Sequence, residues 1–180
     1  MKRKGNKDPA GRPYPDLSQM DFKKSPLRIA GYYNVMQERF FVAFGSRATF
    51  SLSSVPSHTI VNVSEYTLSF VSAVSARLLL VLGRAEEISV ELDEEEGGVL
   101  LRISASLTKT RALQKALPNH RQYLTHLAES CGFTWDLACN GKTAVAQMHL
   151  PAYIPDSCDV SEEPIFPLDD PFLLALSYPL

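Results

Sequence analysis

The spacing of hydrophobic residues switches several times between a helical and a strand period along residues 28–151. Apolar residues recur every three or four positions in some stretches and every second position in others, with changes at Ala48, Ile88 and Phe133. A chain that alternates in this way buries its helices against one face of a sheet. The pattern predicts an α/β two-layer sandwich, with a mixed sheet of about five strands and three main helices on one face.

Three stretches carry the helical period. They cover residues 26–44, 63–83 and 119–131, with Pro26 suited to the first turn of the first helix. The pair Asn62 and Glu65 resembles a capping box at the start of the second helix. The glycines expected to end the three helices are Gly45, Gly83 and Gly132.

The strand period predicts strands at 48–54, 88–92, 99–105, 133–139 and 142–150. The dipeptide Asn140-Gly141 separates the last two and predicts a two-residue hairpin turn in which both residues have φ > 0. Between the third strand and the last helix, residues 106–118 have little pattern. We expect one or two helical turns there, ended by Pro118, and we expect Leu107, Leu113 and Leu117 to pack inward.

The two ends of the chain differ in charge from its centre. Residues 1–28 contain eight Lys or Arg and three Asp, whereas residues 152–180 contain six Asp or Glu and no Lys or Arg. Both ends are also rich in proline, which is unfavourable inside a sheet. We therefore predict a basic, flexible segment at 1–27, one domain at 28–151 and an acidic tail at 152–180.

The acidic tail contains a group of apolar residues that is unusual for a solvated segment. We expect this group to contact an apolar surface of its own domain or of a second copy, and the uncovered face of the sheet is the expected surface. The residues of the group are Phe166, Phe172, Leu173, Leu174 and Leu176.

Composition limits the classes of partner and compartment. The net charge is -2, which gives no reason to expect a nucleic acid as partner. The sequence has no run of about 18 uncharged apolar residues, so no membrane association is expected, and no apolar run follows the basic start. Three cysteines without metal-ligand spacing predict neither a disulfide framework nor a zinc site, and they fit the cytoplasm.

Two segments carry a resemblance to a known family. HLAESCGFTWDLACNGKTAVAQMHLP, at 126–151, combines a last helix, a glycine, two strands and a closing Leu-Pro. EEISVELDEEEGGVLLRISAS, at 86–106, forms a hairpin behind the second predicted helix. In this order and spacing, residues 28–151 resemble the ATP-binding domain of sensor histidine kinases, a branch of the Bergerat-fold (GHKL) ATPase superfamily.

The resemblance implies an ATP and Mg²⁺ site, but this sequence lacks its three sequence boxes. Ser75-Ala76-Arg77 stands where the family has an Asn-Ala-type step that holds Mg²⁺, and serine is too short to replace that amide. Ile103 to Leu107 stands where the family has Asp-x-Gly-x-Gly, and residues 106–131 contain no glycine for a lid over the phosphates. The degenerate pocket positions are Ser75, Arg77, Ser104 and Ser106.

The histidines do not restore the kinase chemistry. None lies in the first predicted helix, and none is followed by an acidic residue, as the family's phosphoacceptor requires. His120 and His126 lie six residues apart, which is not the spacing of a metal-binding pair, so we expect both to be exposed. The sequence identifies no catalytic residue and no metal ligand.

Two hypotheses about function follow, and an unrelated α/β enzyme is a third alternative. The first is a non-catalytic module of the histidine-kinase ATPase fold with a regulatory or protein-interaction role, no cofactor, and a protein partner or a homodimer. The alternative is an active ATP-binding protein of the same fold, a histidine kinase or an anti-sigma-factor-like serine kinase, with divergent motifs. ATP and Mg²⁺ are expected only under the alternative.

Overall fold

The computed structural model describes residues 22–52, 58–153 and 170–180. Five strands form a mixed sheet in the order β2-β4-β5-β7-β6, in which β2 is parallel to β4 and the other neighbours are antiparallel. The elements are β1 Ser25–Arg28, α1 Ile29–Phe44, β2 Ala48–Leu52, β3 Ile60–Val63, α2 Glu65–Arg77, β4 Ile88–Glu95, β5 Gly98–Ser106, α3 Arg111–Ser130, β6 Thr134–Asn140, β7 Thr143–Pro151 and α4 Pro171–Ser177.

Side chains alternate across the sheet, and one face meets the helices. In β4, Ile88, Val90 and Leu92 are buried, whereas Ser89 and Glu91 are only partly covered. The helices α1, α2 and α3 supply the other half of the core. This arrangement confirms the predicted α/β sandwich with a five-stranded mixed sheet.

The beginning of the domain differs from the prediction, because β1 and β3 form a separate two-stranded ribbon. Pro26 lies in β1 opposite Asn62 in β3, so Pro26 is not in a helix and α1 begins at Ile29. A short two-stranded ribbon tolerates a proline because each strand has an unpaired edge. β1 lies across the boundary that we placed between residues 27 and 28.

The second helix begins two residues later than predicted. Ser64, rather than Asn62, is its N-cap, and the Ser64 Oγ accepts a hydrogen bond from the Thr67 N–H at 3.2 Å. α2 continues into a π-helical turn, Leu78–Leu82, which ends at Gly83 as expected. Within the described residues, 65–82 is the one segment long and apolar enough to span a membrane, and 72% of it is buried in this domain, as in a core helix.

The third helix is longer than predicted. α3 begins at Arg111 and contains Pro118, so the expectation that Pro118 ends a helical turn and that a new helix starts at Asn119 was wrong. A buried apolar stripe continues on both sides of the proline, through Leu113, Leu117 and Leu124. The free energy gained by burying this stripe outweighs the loss of the one main-chain hydrogen bond that Pro118 cannot donate.

The last hairpin is present, but its turn is shifted by one residue. Asn140 pairs with Thr143, so the two turn residues are Gly141 and Lys142. Gly141 has a φ of 59°, and Asn140 is not among the residues with positive φ. The expectation of two positive φ angles was therefore wrong, and the pattern is that of a type II′ turn, with glycine first.

The C-terminal residues pack on the helical side of the domain. α4 contacts α2 and α1, so the expectation that the tail covers the open face of the sheet was wrong. The physical reason is that the open face is charged, with Arg102 paired to Glu91 and Asp93 across β4 and β5. Phe166 lies outside the described residues.

Candidate functional site

A cleft opens between α1, α2 and α3 on the helical side of the domain, and residues 170–180 fill it. We call these residues the C-terminal segment. We call this cleft the helical cleft. Its lining residues are Phe40 of α1, Phe70 and Arg77 of α2, and His120 and Tyr123 of α3.

Aromatic contacts anchor both ends of the C-terminal segment. Phe172 packs edge-on against Phe40, with ring centroids 5.6 Å apart. Tyr178 is 1% exposed, and its ring lies 5.8 Å from those of Phe70 and Tyr123. Such contacts contribute beyond the burial of apolar area, so the segment is held chiefly by two rings, one at each end of α4.

Polar contacts fix the same two ends. The Arg77 Nη1 donates to the carbonyls of Ala175 and Tyr178, at 2.7 Å each, and so satisfies main-chain acceptors at the C-terminal end of α4. At the other end, Asp170 forms an ion pair with Arg39 and accepts a hydrogen bond from the Phe172 N–H at 2.9 Å.

His120 is fully buried, which corrects the expectation that it faces solvent. Its Nδ1 lies 3.1 Å from the hydroxyl oxygen of Tyr178, within hydrogen-bond distance. Sequence spacing could not reveal this, because the partner is far along the chain. One signal for the segment was nevertheless present: Asp170-Pro171 is an N-cap followed by a proline at the first helical position.

Ser75, the first of the degenerate pocket positions, is completely buried and already bonded. Its hydroxyl donates to the Val71 carbonyl at 2.7 Å and accepts from the Trp135 indole N–H at 2.9 Å. The serine therefore joins α2 to β6 in the core, and its hydroxyl does not face the helical cleft as a free ligand.

The segment after β5 is also packed closed. Leu107 is buried beside Gly83, where an added Cβ would lie 2.6 Å from Leu107 Cδ2. The Lys109 N–H donates to the Gly83 carbonyl at 3.1 Å, and the Thr108 hydroxyl donates to the Arg84 carbonyl at 2.8 Å. Leu113 and Leu117 are buried as well, so all three leucines expected to pack inward do so.

Ser104 and Ser106 lie on the other side of the sheet from Ser75 and Arg77. They line an open groove of about 500 Å³, together with further hydroxyl side chains and two carboxylates at its rim. The structure therefore does not bring the four degenerate pocket positions together. The other polar side chains of the groove are Thr49, Ser89, Thr108, Thr143, Glu86 and Glu87.

The described residues offer little for metal or nucleophilic chemistry. Within 22–52, 58–153 and 170–180, no group of three His, Cys, Asp or Glu side chains is placed to hold a metal ion. Burial raises the pKa of the Cys139 thiol, although the nearby Arg121 charge lowers it, and a raised pKa is the opposite of what a nucleophilic thiol needs. Burial likewise raises the pKa of the Glu65 carboxyl.

Similarity to known proteins is found in structure and not in sequence. No family model matches the chain, and no curated protein matches it in sequence. The ATP-binding domain of PrrB from Mycobacterium tuberculosis superposes with a TM-score of 0.56 at 14% identity, over 73% of this chain and 99% of that one. Full-length ShkA in complex with AMPPNP gives 0.55 at 13%, over 77% of this chain and 33% of that one.

The histidine kinase AdeS of Acinetobacter baumannii gives a TM-score of 0.53 at 9% identity, over 74% of this chain and 70% of that chain. At such identities the likeness concerns the fold alone. It agrees with the element order and the mixed sheet described above. The described part of this chain therefore has the fold of the histidine-kinase ATP-binding domain, the Bergerat fold of the GHKL ATPases.

Proposed function

We propose that this protein is a non-catalytic module of the histidine-kinase ATPase fold with a regulatory or protein-binding role in signalling. One observation carries the proposal. Arg77 belongs to the step Ser75-Ala76-Arg77, where the resemblance implies an asparagine that holds Mg²⁺, and its guanidinium instead holds two carbonyls of the C-terminal segment. A nucleotide that used this end of α2 would compete with the protein's own chain.

The buried face of β5 supports the same proposal. The resemblance implies an adenine-binding Asp and two glycines along Ile103 to Leu107. Ile103 and Ala105 of β5 and Leu107, which directly follows the strand, are buried instead and form part of the hydrophobic core. A core of this kind stabilises the fold without any bound nucleotide, because burial of apolar area does not depend on a ligand.

The proposed role also implies a compartment and a class of partner. We place the protein in the cytoplasm, where the free thiols of Cys131 and Cys139 would stay reduced. We propose no metal and no cofactor, and we propose a protein as the binding partner.

Thermal unfolding of the full chain with Mg-ATP tests the proposal. A ligand at one hundred times its Kd stabilises a protein by about 2.7 kcal/mol, which corresponds to a rise in Tm of several degrees for a domain of this size. We expect no rise with millimolar Mg-ATP relative to Mg²⁺ alone. A reproducible rise would contradict the proposal and would favour the alternative, an active ATP-binding protein with divergent motifs.

A further inference from the structure

We infer that the helical cleft is a peptide-binding groove, and that the C-terminal segment occupies it in cis in place of a short helix from a partner protein. This inference rests on the proposed function and names the chemistry of its partner. The ligand that fits is a short helix with Phe at its start and Ala three residues later, followed by a Tyr at its C-cap, as in Phe172, Ala175 and Tyr178.

The helix α4 is bound through one face only. Phe172, Ala175 and Tyr178 are buried, whereas Leu173 is 64% and Leu176 is 39% exposed. Residues spaced by three lie close together on one face of a helix. A few buried aromatic anchors beside exposed neighbours are typical of a helix lying in a groove of another protein.

The groove recognises features that another peptide can offer. Arg77 binds main-chain carbonyls, which any helix presents at its C-terminal end. Phe40 and Phe70 supply apolar contacts to the two anchor rings. His120 lies within hydrogen-bond distance of the anchor hydroxyl and so favours Tyr over Phe at this position.

The covalent connection of the C-terminal segment to the domain limits which helices can compete with it. Residues 154–169 connect β7 to the C-terminal segment, and a connection of this length gives an effective concentration on the order of millimolar. The same segment from a second copy has the same intrinsic affinity and cannot compete at micromolar concentrations. The competitor that can displace the segment is therefore a helix of tighter intrinsic affinity, carried by a different protein.

Binding of a synthetic peptide to the full chain tests the groove. The probe is a dye-labelled peptide of residues 168–180, followed by fluorescence anisotropy. We expect the Tyr178→Ala chain to bind this peptide at least tenfold more tightly than the wild-type chain does, because its own segment competes less. A peptide that carries Tyr178→Ala should bind at least tenfold more weakly.

Matched controls separate the anchors from general changes in the segment. Leu173→Ala, made in the chain or in the peptide, alters an exposed side chain and should leave the measured affinities within about twofold. Asp170→Ala is a second way to loosen the segment, since Asp170 caps α4 and pairs with Arg39. The inference is wrong if both loosened chains unfold cooperatively and yet bind the peptide no more tightly than wild type.

A measurement on the wild-type chain remains decisive even if a variant fails to fold. In hydrogen exchange, the main-chain amides of residues 173–178 should exchange faster when millimolar unlabelled peptide is added, because the peptide displaces them. Unchanged exchange at that concentration would overturn the inference. The mass in solution should be that of a monomer at micromolar concentration, and a dimer there would overturn the assignment to a different protein. Neither result depends on whether Mg-ATP shifts the Tm.

Discussion

The contacts of Ser75 exclude the Mg²⁺-binding role that the family resemblance implies for its place in the sequence. Its hydroxyl bonds Val71 and Trp135 inside the core. Ser75→Asn would restore the amide that the resembled ATPases use, but it would also add atoms at a fully buried site. We expect the unfolding free energy of the variant to be about 1–3 kcal/mol lower than that of the wild type. We also expect that Mg-ATP does not raise the Tm of the variant.

Urea unfolding measures the loss, and the exposed Ser46→Asn is the matched control, expected to stay within about 0.5 kcal/mol of wild type. A Ser75→Asn chain as stable as wild type would show that this part of the core has room for a larger side chain.

Tyr33 predicts an alkaline effect on stability. Burial, with a smaller contribution from the Glu91 charge, raises the pKa of Tyr33 to about 12, and its hydroxyl donates to the Val90 carbonyl at 3.4 Å. Because the pKa is higher in the folded chain than the ordinary value of about 10, this group stabilises the fold fully below pH 10. The stabilisation should disappear as the pH rises from about 10 to 12.

Denaturant unfolding between pH 9 and 12 checks this, with Tyr33→Phe as the comparison. The decline should be shallower in the variant, though not absent, because burial also raises the pKa of Tyr32. Identical pH profiles for the two chains would contradict the assignment to Tyr33.

At the scale of elements, α3 carries a defect that can be repaired. Pro118 lies in its interior, where it removes one main-chain donor, and its side chain is exposed. Pro118→Ala should raise the unfolding free energy by about 1–3 kcal/mol. Gln122→Ala on the same exposed surface is the control, with an expected change below about 0.5 kcal/mol. A destabilised Pro118→Ala chain would mean that the proline supports a backbone shape that the domain needs.

The elements that the sequence predicted well are those whose signals are local. The hairpin of β6 and β7 and the end of α3 at Gly132, which has a φ of 89°, depend on neighbouring residues. The starts of α1 and α2 were misplaced because Pro26 and Asn62 pair with each other across the β1–β3 ribbon. A single-sequence pattern contains no information on such a distant pairing.

The same limit applies to the candidate site. Ser75, Arg77, Ser104 and Ser106 were chosen by order along the chain, and strand alternation then puts the last two on the opposite face of the sheet. The apolar character of the C-terminal segment was visible in the sequence. Its position beside His120 and Arg77 was not, because nearly a hundred residues separate it from α2.

At the scale of the whole molecule, the C-terminal segment should stabilise the domain modestly. Burial of Phe172 and Tyr178 removes apolar area from water and favours docking of the segment, and the loss of backbone freedom on ordering the segment offsets part of this gain. Removal of residues 170–180 should therefore lower the Tm by only a few degrees. Calorimetry measures the change, and Leu173→Ser in the full chain should leave the Tm unaltered. An unchanged Tm after the truncation would show that the segment does not stabilise the domain.

The distance in sequence between β7 and α4 also affects how the protein is made. During synthesis, the chain up to Tyr153 leaves the ribosome before the C-terminal segment does, and residues are added at about 5–20 per second. For at least about one second, a nascent domain would therefore present Phe40, Phe70 and Tyr123 without their cover. In that interval no tethered segment competes for the cleft, so a partner or a chaperone meets it in its most accessible form.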